Sequence, residues 1–241
     1  MSEVVHLAPD EFSVDHPCTD PSLYEADEQL LAYMLQDLRA LVRRRRSGEI
    51  DLEPYEALAW SVHDLARRQV ICDPAALEDQ RNVCIVGFFG ERRGNPETQQ
   101  RIDRLESALL NEFRSVPGVL SYSSMELVDD YWANLVVHAA AADREEWRNR
   151  NVHREAAEDA SPEHYRNVRI HHGVLAGGVC SSNMIRLVRT KYWDYGGDPV
   201  LGTWTAEREL AAPVPSVAGG RVTRPWVRFL GRSKRRTPSS A

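Results

Sequence analysis

The stretch Asn82–Gly90, NVCIVGFFG, decides the fold of this chain. It is rich in β-forming residues and apolar on both faces, which is the pattern of a strand covered on both sides. The next segment, NPETQQRIDRLESALLNEFRSVPGV (residues 95–119), places apolar side chains at helical spacing, and Pro117-Gly118 ends the run. Together the two segments predict a buried strand followed by a long helix.

Further extended segments follow this helix. LSYSSMELV (120–128) and WANLVVHAA (132–140) predict two strands joined by a turn at Asp129-Asp130. After a helical region at 142–165, RNVRIHHGVL (166–175) predicts another strand. The resulting order, β-α-β-β-α-β, predicts an α+β fold of the ferredoxin-like sandwich type.

The chain continues beyond this unit. NMIRLVRTKYWDY (183–195) predicts an extra strand, and GTWTAEREL (202–210) predicts a short strand or helix. The tail at 213–241 contains Lys and Arg but neither Asp nor Glu. We expect a flexible, solvated terminus there, and no nucleic-acid partner for the protein.

The amino-terminal part is expected to be largely helical. Residues 1–79 are predicted to form an irregular arm followed by a helical extension, and residues 80–212 the ferredoxin-like domain with its extra strand. The first helix lies in PSLYEADEQLLAYMLQDLRALVRRRR (21–46), where apolar residues repeat at helical spacing. EPYEALAWSVHDLARRQV (53–70) places apolar residues on one helical face and predicts a second helix.

Composition limits the class of protein. Of the 241 residues, 42% are hydrophobic and 27% charged, and the formal net charge is −6, as in soluble globular proteins. No apolar run is long enough to cross a bilayer, so we expect no membrane partner. The first residues lack the features of a secretory signal, which favours a cytoplasmic location. The four cysteines are scattered without a CxxC pair, which is typical of reduced thiols rather than a zinc site.

Two adjacent histidines mark the strand YRNVRIHHGVL (165–175). Neighbouring side chains of a strand point to opposite faces, so the two cannot enter one pocket unless the strand bulges. His172 shares its face with apolar residues and is expected to be either a core residue or a polar group in an apolar pocket. Gly173 would let another backbone or a ligand come close to it. His171 shares its face with Arg169 and is expected at an interface or at the surface.

Further residues are candidates for the same site. His138 and His153, with His172, would supply bases whose pKa lies near neutrality, or imidazole ligands to a metal or haem iron. The spacing leaves a third reading open, in which these histidines are simply packed or exposed. Several aromatic side chains would line a cavity for a flat substrate: Trp132, Trp147, Tyr165, Tyr192, Trp193 and Tyr195.

Three segments resemble the antibiotic biosynthesis monooxygenase type of dimeric α/β barrel, over about residues 81–175. They are FRSVPGVLSYSSMEL, YWANLVVHAAAADREEWRNRNVHREAAED and YRNVRIHHG. The resemblance implies a homodimer whose two sheets face each other, with a small-molecule pocket between sheet and helices in each subunit. Similar proteins include cofactor-independent oxygenases, polyketide cyclases and haem-degrading enzymes. Haem-degrading members carry a Trp and a His about ten residues apart on the second helix, whereas Trp147 and His153 are six apart. On a continuous helix that separation corresponds to about 600° and predicts opposite flanks.

We therefore predict a small-molecule enzyme of bacterial specialised metabolism that needs no cofactor or metal and acts as an oxygenase or a cyclase. His172 and His153 are the predicted catalytic residues. The predicted substrate-binding residues are His138, Trp147, Arg169, Tyr165 and Trp193. One alternative is a haem-dependent enzyme of the same superfold with a histidine as axial ligand. The other is a non-catalytic ligand-binding or regulatory dimer whose tail or amino-terminal helices contact a partner.

Overall fold

The apolar strand at 83–92 lies at the centre of a large mixed sheet. A computed structural model of the protein describes residues 4–196 and 202–210, and within them nine strands form this sheet. The strands are β1 Val5–Leu7, β2 Ala57–Val62, β3 Leu65–Ile71, β4 Val83–Arg92, β5 Val119–Glu126, β6 Tyr131–His138, β7 Tyr165–Leu175, β8 Arg186–Asp194 and β9 Trp204–Glu209. The helices are α1 Ser22–Arg46, α2 Pro96–Glu112, α3 Ala141–Arg148, α4 Asn151–Arg154 and α5 Ser161–His164, with a π-helical segment Glu155–Ala160 between the last two.

The strand order is β1-β9-β8-β7-β4-β6-β5-β3-β2. All neighbours are antiparallel except β1 and β9, which are parallel. The α+β class is thus as predicted. No helix within the described residues is long and apolar enough to cross a bilayer.

The central strands and their connections match the prediction closely. The turn between β5 and β6 holds Asp129 and Asp130 at φ angles of 57° and 62°, a conformation that Asp tolerates better than most residues. Helix α2 begins after Asn95, whose side chain accepts a hydrogen bond of 2.9 Å from the backbone N–H of Glu97. This contact satisfies one of the free amides at the start of the helix. The segment at 202–210, predicted as strand or helix, forms strand β9.

Helix α1 covers one face of the sheet. Leu31, Leu35 and Leu38 are almost fully buried and belong to one core cluster with Ile85 and Leu135 of the sheet. The same face is the one that the resemblance assigns to a second copy of the chain. The prediction that two sheets face each other in a dimer is therefore wrong for this chain, because α1 covers the sheet face that the second sheet would contact. The homodimer itself stays a prediction.

The helix predicted at 53–70 is wrong. This segment forms the hairpin of β2 and β3, in which Val62 pairs with Leu65. The two turn residues, His63 and Asp64, have φ angles of 52° and 64°, as both central residues of a type I′ turn require. Only the first part of the predicted helical extension is helical, because β3 gains hydrogen bonds by pairing with β5.

The other predicted elements need smaller corrections. The amino-terminal arm is not wholly irregular, since β1 pairs with β9. The helical region at 142–165 is interrupted between α3 and α4, whereas the π-helical segment continues directly into α5 at Ser161. The basic tail at 213–241 lies outside the described residues. The predicted domain boundaries stay predictions.

Candidate functional site

A cavity of about 650 Å³ lies between the other face of the sheet and helices α2 to α5. This volume is in the range of small-molecule sites, about 300–1,000 Å³. Six of the seven predicted site residues line it: His138, His153, His172, Trp147, Tyr165 and Trp193. Two more of the predicted aromatic residues, Trp132 and Tyr195, also line it. The sequence had placed these side chains on separate elements, and the fold brings them to one cavity.

Strand alternation explains which side chains enter the cavity. Val168, Ile170 and His172 of β7 point into it, and their neighbours on β8 are Trp193, Lys191 and Arg189. A bulge in the pairing with β8 falls after His172, where Gly173 would bring an added Cβ to 2.9 Å from the Arg186 carbonyl oxygen. The close approach expected at Gly173 is thus made by the backbone of β8.

Arg169 and His171 point to the opposite face, under α1. Arg169 donates two hydrogen bonds of 2.9 Å to the carboxylate of Asp27, and His171 Nε2 lies 2.8 Å from the same carboxylate. Thr190 Oγ1 lies 2.8 Å from His171 Nδ1. The structure does not bring Arg169 to the cavity, where we had predicted it. His171 is 1% exposed, so of the two positions predicted for it the surface is wrong, and the ring lies where α1 contacts the sheet. Tyr192 also lies on this face, where its hydroxyl contacts that of Tyr24.

Trp147 and His153 lie side by side. Their rings meet edge to face, with centroids 5.3 Å apart. The prediction of opposite flanks is wrong because α3 ends at Arg148 and α4 begins at Asn151, so the two residues do not share one continuous helix. Phe113 packs against Trp147, with centroids 4.7 Å apart, and also lines the cavity.

The imidazole of His172 is neutral and its orientation is held by an arginine. Arg144 Nη1 lies 3.3 Å from His172 Nδ1. Since a guanidinium can only donate, Nδ1 accepts and the proton of the neutral ring resides on Nε2. Burial lowers the pKa of His172 to about 3, and the nearby cations Arg144, Arg189 and Lys191 add to this shift. His172 is therefore a hydrogen-bond donor at neutral pH.

Three further histidines of the cavity are neutral for the same reasons. Burial lowers the pKa of His138 to about 4, with Arg144 adding to the effect. Burial also lowers the pKa of His153 and of His164 to about 4. The pKa near neutrality that we had predicted for these bases is wrong, because the histidines are desolvated beside arginines.

Two of these rings retain a nitrogen without a partner. Within the described residues, the buried Nδ1 atoms of His138 and His153 make no hydrogen bond. A buried polar atom without a partner is costly. Both rings line the cavity, but the two Nδ1 atoms have almost no accessible surface, so they face the protein rather than the open part of the cavity.

Several lining residues were missed by the sequence analysis. Arg189 and Lys191 alternate with Trp193 along β8, and this period of two was visible in the sequence. Arg144 lies three residues before Trp147 on α3, a spacing that places both on one helical face. His164 immediately precedes β7, and no sequence signal pointed to it. Within the described residues, no group of three or more His, Cys, Asp or Glu side chains is arranged to hold a metal ion.

Comparisons with known proteins add little. No family model matches the chain. No curated protein matches it either. Among solved structures, the protein SO0527 from Shewanella oneidensis is similar over 41% of this chain and 96% of its own, with 18% sequence identity and a TM-score of 0.33. A similarity of this size assigns neither fold nor function.

Proposed function

We propose that the chain is a small-molecule enzyme that acts on an aromatic substrate in this cavity, as a cofactor-independent oxygenase or a cyclase. The observation that carries the proposal is the joint position of four neutral histidines and several aromatic side chains around one cavity of about 650 Å³. His172 and His153 are the proposed catalytic residues. His138, Trp147, Tyr165 and Trp193 would contact the body of the substrate.

The strand order supports the proposed fold family. Strands β7-β4-β6-β5 lie side by side in that order, and helices α2 and α3–α5 connect them on the cavity face. A ferredoxin-like β-α-β-β-α-β unit gives this order. We therefore propose a ferredoxin-like unit, extended by β8 and β9 on one side and by β3 and β2 on the other. Because one fold hosts many functions, this supports the family and not the reaction.

The electrostatics suit chemistry on a substrate anion. A proton would pass from a phenol or an activated C–H group to the neutral imidazole of His153, and the electron pair would stay on the substrate. The cations that lower the pKa of the histidines would also lower the pKa of the substrate. The pKa of the proton donor and that of the accepting histidine can therefore be similar. His172 would donate its Nε2–H to the oxyanion that forms.

The electron pair left on the substrate can react in two ways. In a cyclase it attacks a carbonyl carbon of the same molecule, and the proton returns to the carbonyl oxygen. In an oxygenase the co-reactant is dioxygen: a CH₂ carbon becomes a carbonyl carbon, and its two hydrogens leave with the second oxygen atom as water. An apolar cavity would protect the anion from bulk water in both cases.

A haem-dependent enzyme is the second candidate. It is favoured by the lowered pKa of His138, His153 and His172 at the cavity, because neutral imidazole is the form that binds iron. One of these histidines would hold a haem in the cavity, and the haem would supply redox chemistry there. A strong absorption band near about 400 nm in the purified protein would identify this case.

The oxygenase proposal is tested with an oxygen electrode. The probe is 1,8-dihydroxyanthrone, an electron-rich aromatic compound with an acidic CH₂ group. We expect enzyme-dependent oxygen uptake that falls about 100-fold in His172→Gln and in His153→Gln, while His63→Asn, a change in the exposed turn, retains the full rate. Equal rates in wild type and both cavity variants would contradict the assigned roles. Binding of the probe without turnover would favour the non-catalytic ligand-binding alternative.

A further inference from the structure

Four cationic side chains converge on one end of the cavity. Arg144 and Arg148 reach it from α3, and Arg189 and Lys191 reach it from β8. Arg189 is the direct strand neighbour of His172, and Lys191 is the neighbour of Ile170. Arg144 contacts the ring of His172 from the helix side. Arg144, Arg189 and Lys191 therefore lie near His172, and Arg148 lies near Lys191.

Few carboxylates balance these cations. Within the described residues, Glu145 lies 2.8 Å from Arg144 and 3.8 Å from Arg148, and Glu209 lies 4.0 Å from Arg189. The side chains of Glu145 and Glu209 are 50% and 73% exposed, so solvent screens both. Glu207 of β9 is the strand neighbour of Lys191, and Glu207 and Glu145 raise the pKa of Lys191, but less than burial and the neighbouring arginines lower it. This end of the cavity has an excess of positive charge.

The opposite end of the cavity is balanced. Glu106 of α2 lies 2.9 Å from Arg68 and accepts a hydrogen bond of 3.1 Å from the hydroxyl of Tyr122. Asp103 accepts a hydrogen bond of 2.8 Å from Gln99. Glu106 is paired with a cation and Asp103 with a neutral amide, so the α2 end has no excess of positive charge, in contrast to the β8 end.

The cations at this end of the cavity repel one another. Burial and then the neighbouring Arg189 and Arg148 lower the pKa of Lys191. The ring of His172 is neutral because it is buried near Arg144, Arg189 and Lys191. An anionic group placed here would satisfy charges and hydrogen-bond donors that the protein leaves unpaired.

We infer that this end is an anion subsite, in which an oxyanion of an aromatic substrate lies between Arg144, Arg189 and Lys191 beside His172. The aromatic body would extend over Ile170 and Phe88 toward Trp193. The substrate class is therefore an aromatic acid or phenol that binds as its anion. This inference rests on the proposed function in one respect, that the cavity is the substrate site.

Calorimetric titration with two probes of the same shape tests the inference. 2-Naphthoate carries the anionic group, and 2-naphthamide replaces it with a neutral one. We expect wild type to bind 2-naphthoate at least about tenfold more tightly than 2-naphthamide, since hydrogen bonds to charged groups are the stronger class. Lys191→Gln and Arg189→Gln should each weaken 2-naphthoate binding about tenfold and change 2-naphthamide binding less than twofold.

A matched control comes from the same strand. Arg186 is exposed and does not line the cavity, so Arg186→Gln removes one positive charge from β8 without touching the subsite. It should change neither affinity more than twofold. An equal loss in Arg186→Gln and Lys191→Gln would overturn the subsite, because a long-range field rather than a contact would then act on the probe.

The remaining outcomes separate the inference from the proposed function. Equal affinity of wild type for both probes, or equal loss of both in Lys191→Gln, would overturn the anion subsite while the cavity stays a ligand site. Binding of neither probe at millimolar concentration would overturn both the subsite and the proposed substrate class. Thermal melts of each variant, with midpoints near that of wild type, establish that any loss is local.

Discussion

The carboxylate of Asp27 and the guanidinium of Arg169 form a two-point ion pair that joins α1 to the sheet. Arg169 Nε and Nη2 each lie 2.9 Å from a carboxylate oxygen, and both residues are buried. Burial alone would raise the pKa of Asp27, but Arg169 and the hydrogen bond to His171 outweigh it and hold that pKa below its ordinary value. The pair fixes the helix on the face opposite the cavity.

Removing Asp27 should destabilise the protein strongly. Asp27→Ala leaves the Arg169 charge buried without a partner, and we expect a loss of about 3–5 kcal/mol in the free energy of unfolding, measured with urea. The control is Asp37→Ala on the same helix, whose partner Arg67 lies at 3.4 Å and whose side chain is 35% exposed. The control should cost about 1 kcal/mol or less. Similar losses in both variants would show that the buried ion pair contributes no more to stability than the exposed one.

The cavity histidines make stability depend on pH. Their pKa is about 3 to 4 in the folded protein and about 6.5 in an unfolded chain. Below about pH 6.5 the unfolded chain binds protons that the folded protein does not, so the free energy of unfolding falls as the pH decreases toward 4. Urea unfolding at pH 7.5, 6 and 5 measures this slope. An unchanged free energy across the series would show that the rings are not desolvated.

The protonation state of His172 is directly observable. In an NMR titration its ring carbons should keep the chemical shifts of neutral imidazole from pH 8 down to about pH 4.5, because its pKa lies near 3. In the urea-unfolded chain the same carbons should titrate near about 6.5. A folded-state midpoint between pH 6 and 7 would disprove the assigned neutral donor and restore the near-neutral base predicted from the sequence.

Gly173 should not tolerate a side chain. An added Cβ would lie 2.9 Å from the carbonyl oxygen of Arg186 and 3.2 Å from a side-chain atom of Leu187. Since a main-chain atom cannot rotate away, we expect Gly173→Ala to lower the free energy of unfolding by about 1–3 kcal/mol. Leu187→Ala in the same background should not restore it. Full stability of the single variant would contradict the close approach of the two backbones.

The hairpin at β2 and β3 can be stabilised through its turn. His63→Asn with Asp64→Gly supplies the residues that a type I′ turn favours at its two positive-φ positions. We expect the free energy of unfolding to rise by about 0.5–1 kcal/mol, since the cost of the left-handed conformation is reduced. If this segment were a helix, the same two substitutions would lower the free energy of unfolding, because Gly destabilises a helix interior by about 1 kcal/mol.

Local sequence signals were sufficient for the central unit. Alternation and the apolar run at Asn82–Gly90 predicted β4, and the stop at Pro117-Gly118 predicted the end of the helical region that follows it. The same alternation separated His171 from His172, since adjacent side chains of a strand must point to opposite faces. These features depend on neighbours along the chain, and such short-range geometry can be read from the sequence alone.

Only the tertiary structure decided the rest. The apolar residues at 53–70 fit a helix as well as a hairpin, and pairing of β3 with β5 selected the hairpin. Asp27 reaches Arg169 across a separation of 142 residues, so no local pattern could place α1 on the sheet. The neutral state of His172 depends on burial and on charges from α3 and β8. A pKa and a core partner depend on distances in space, which the order of residues does not specify.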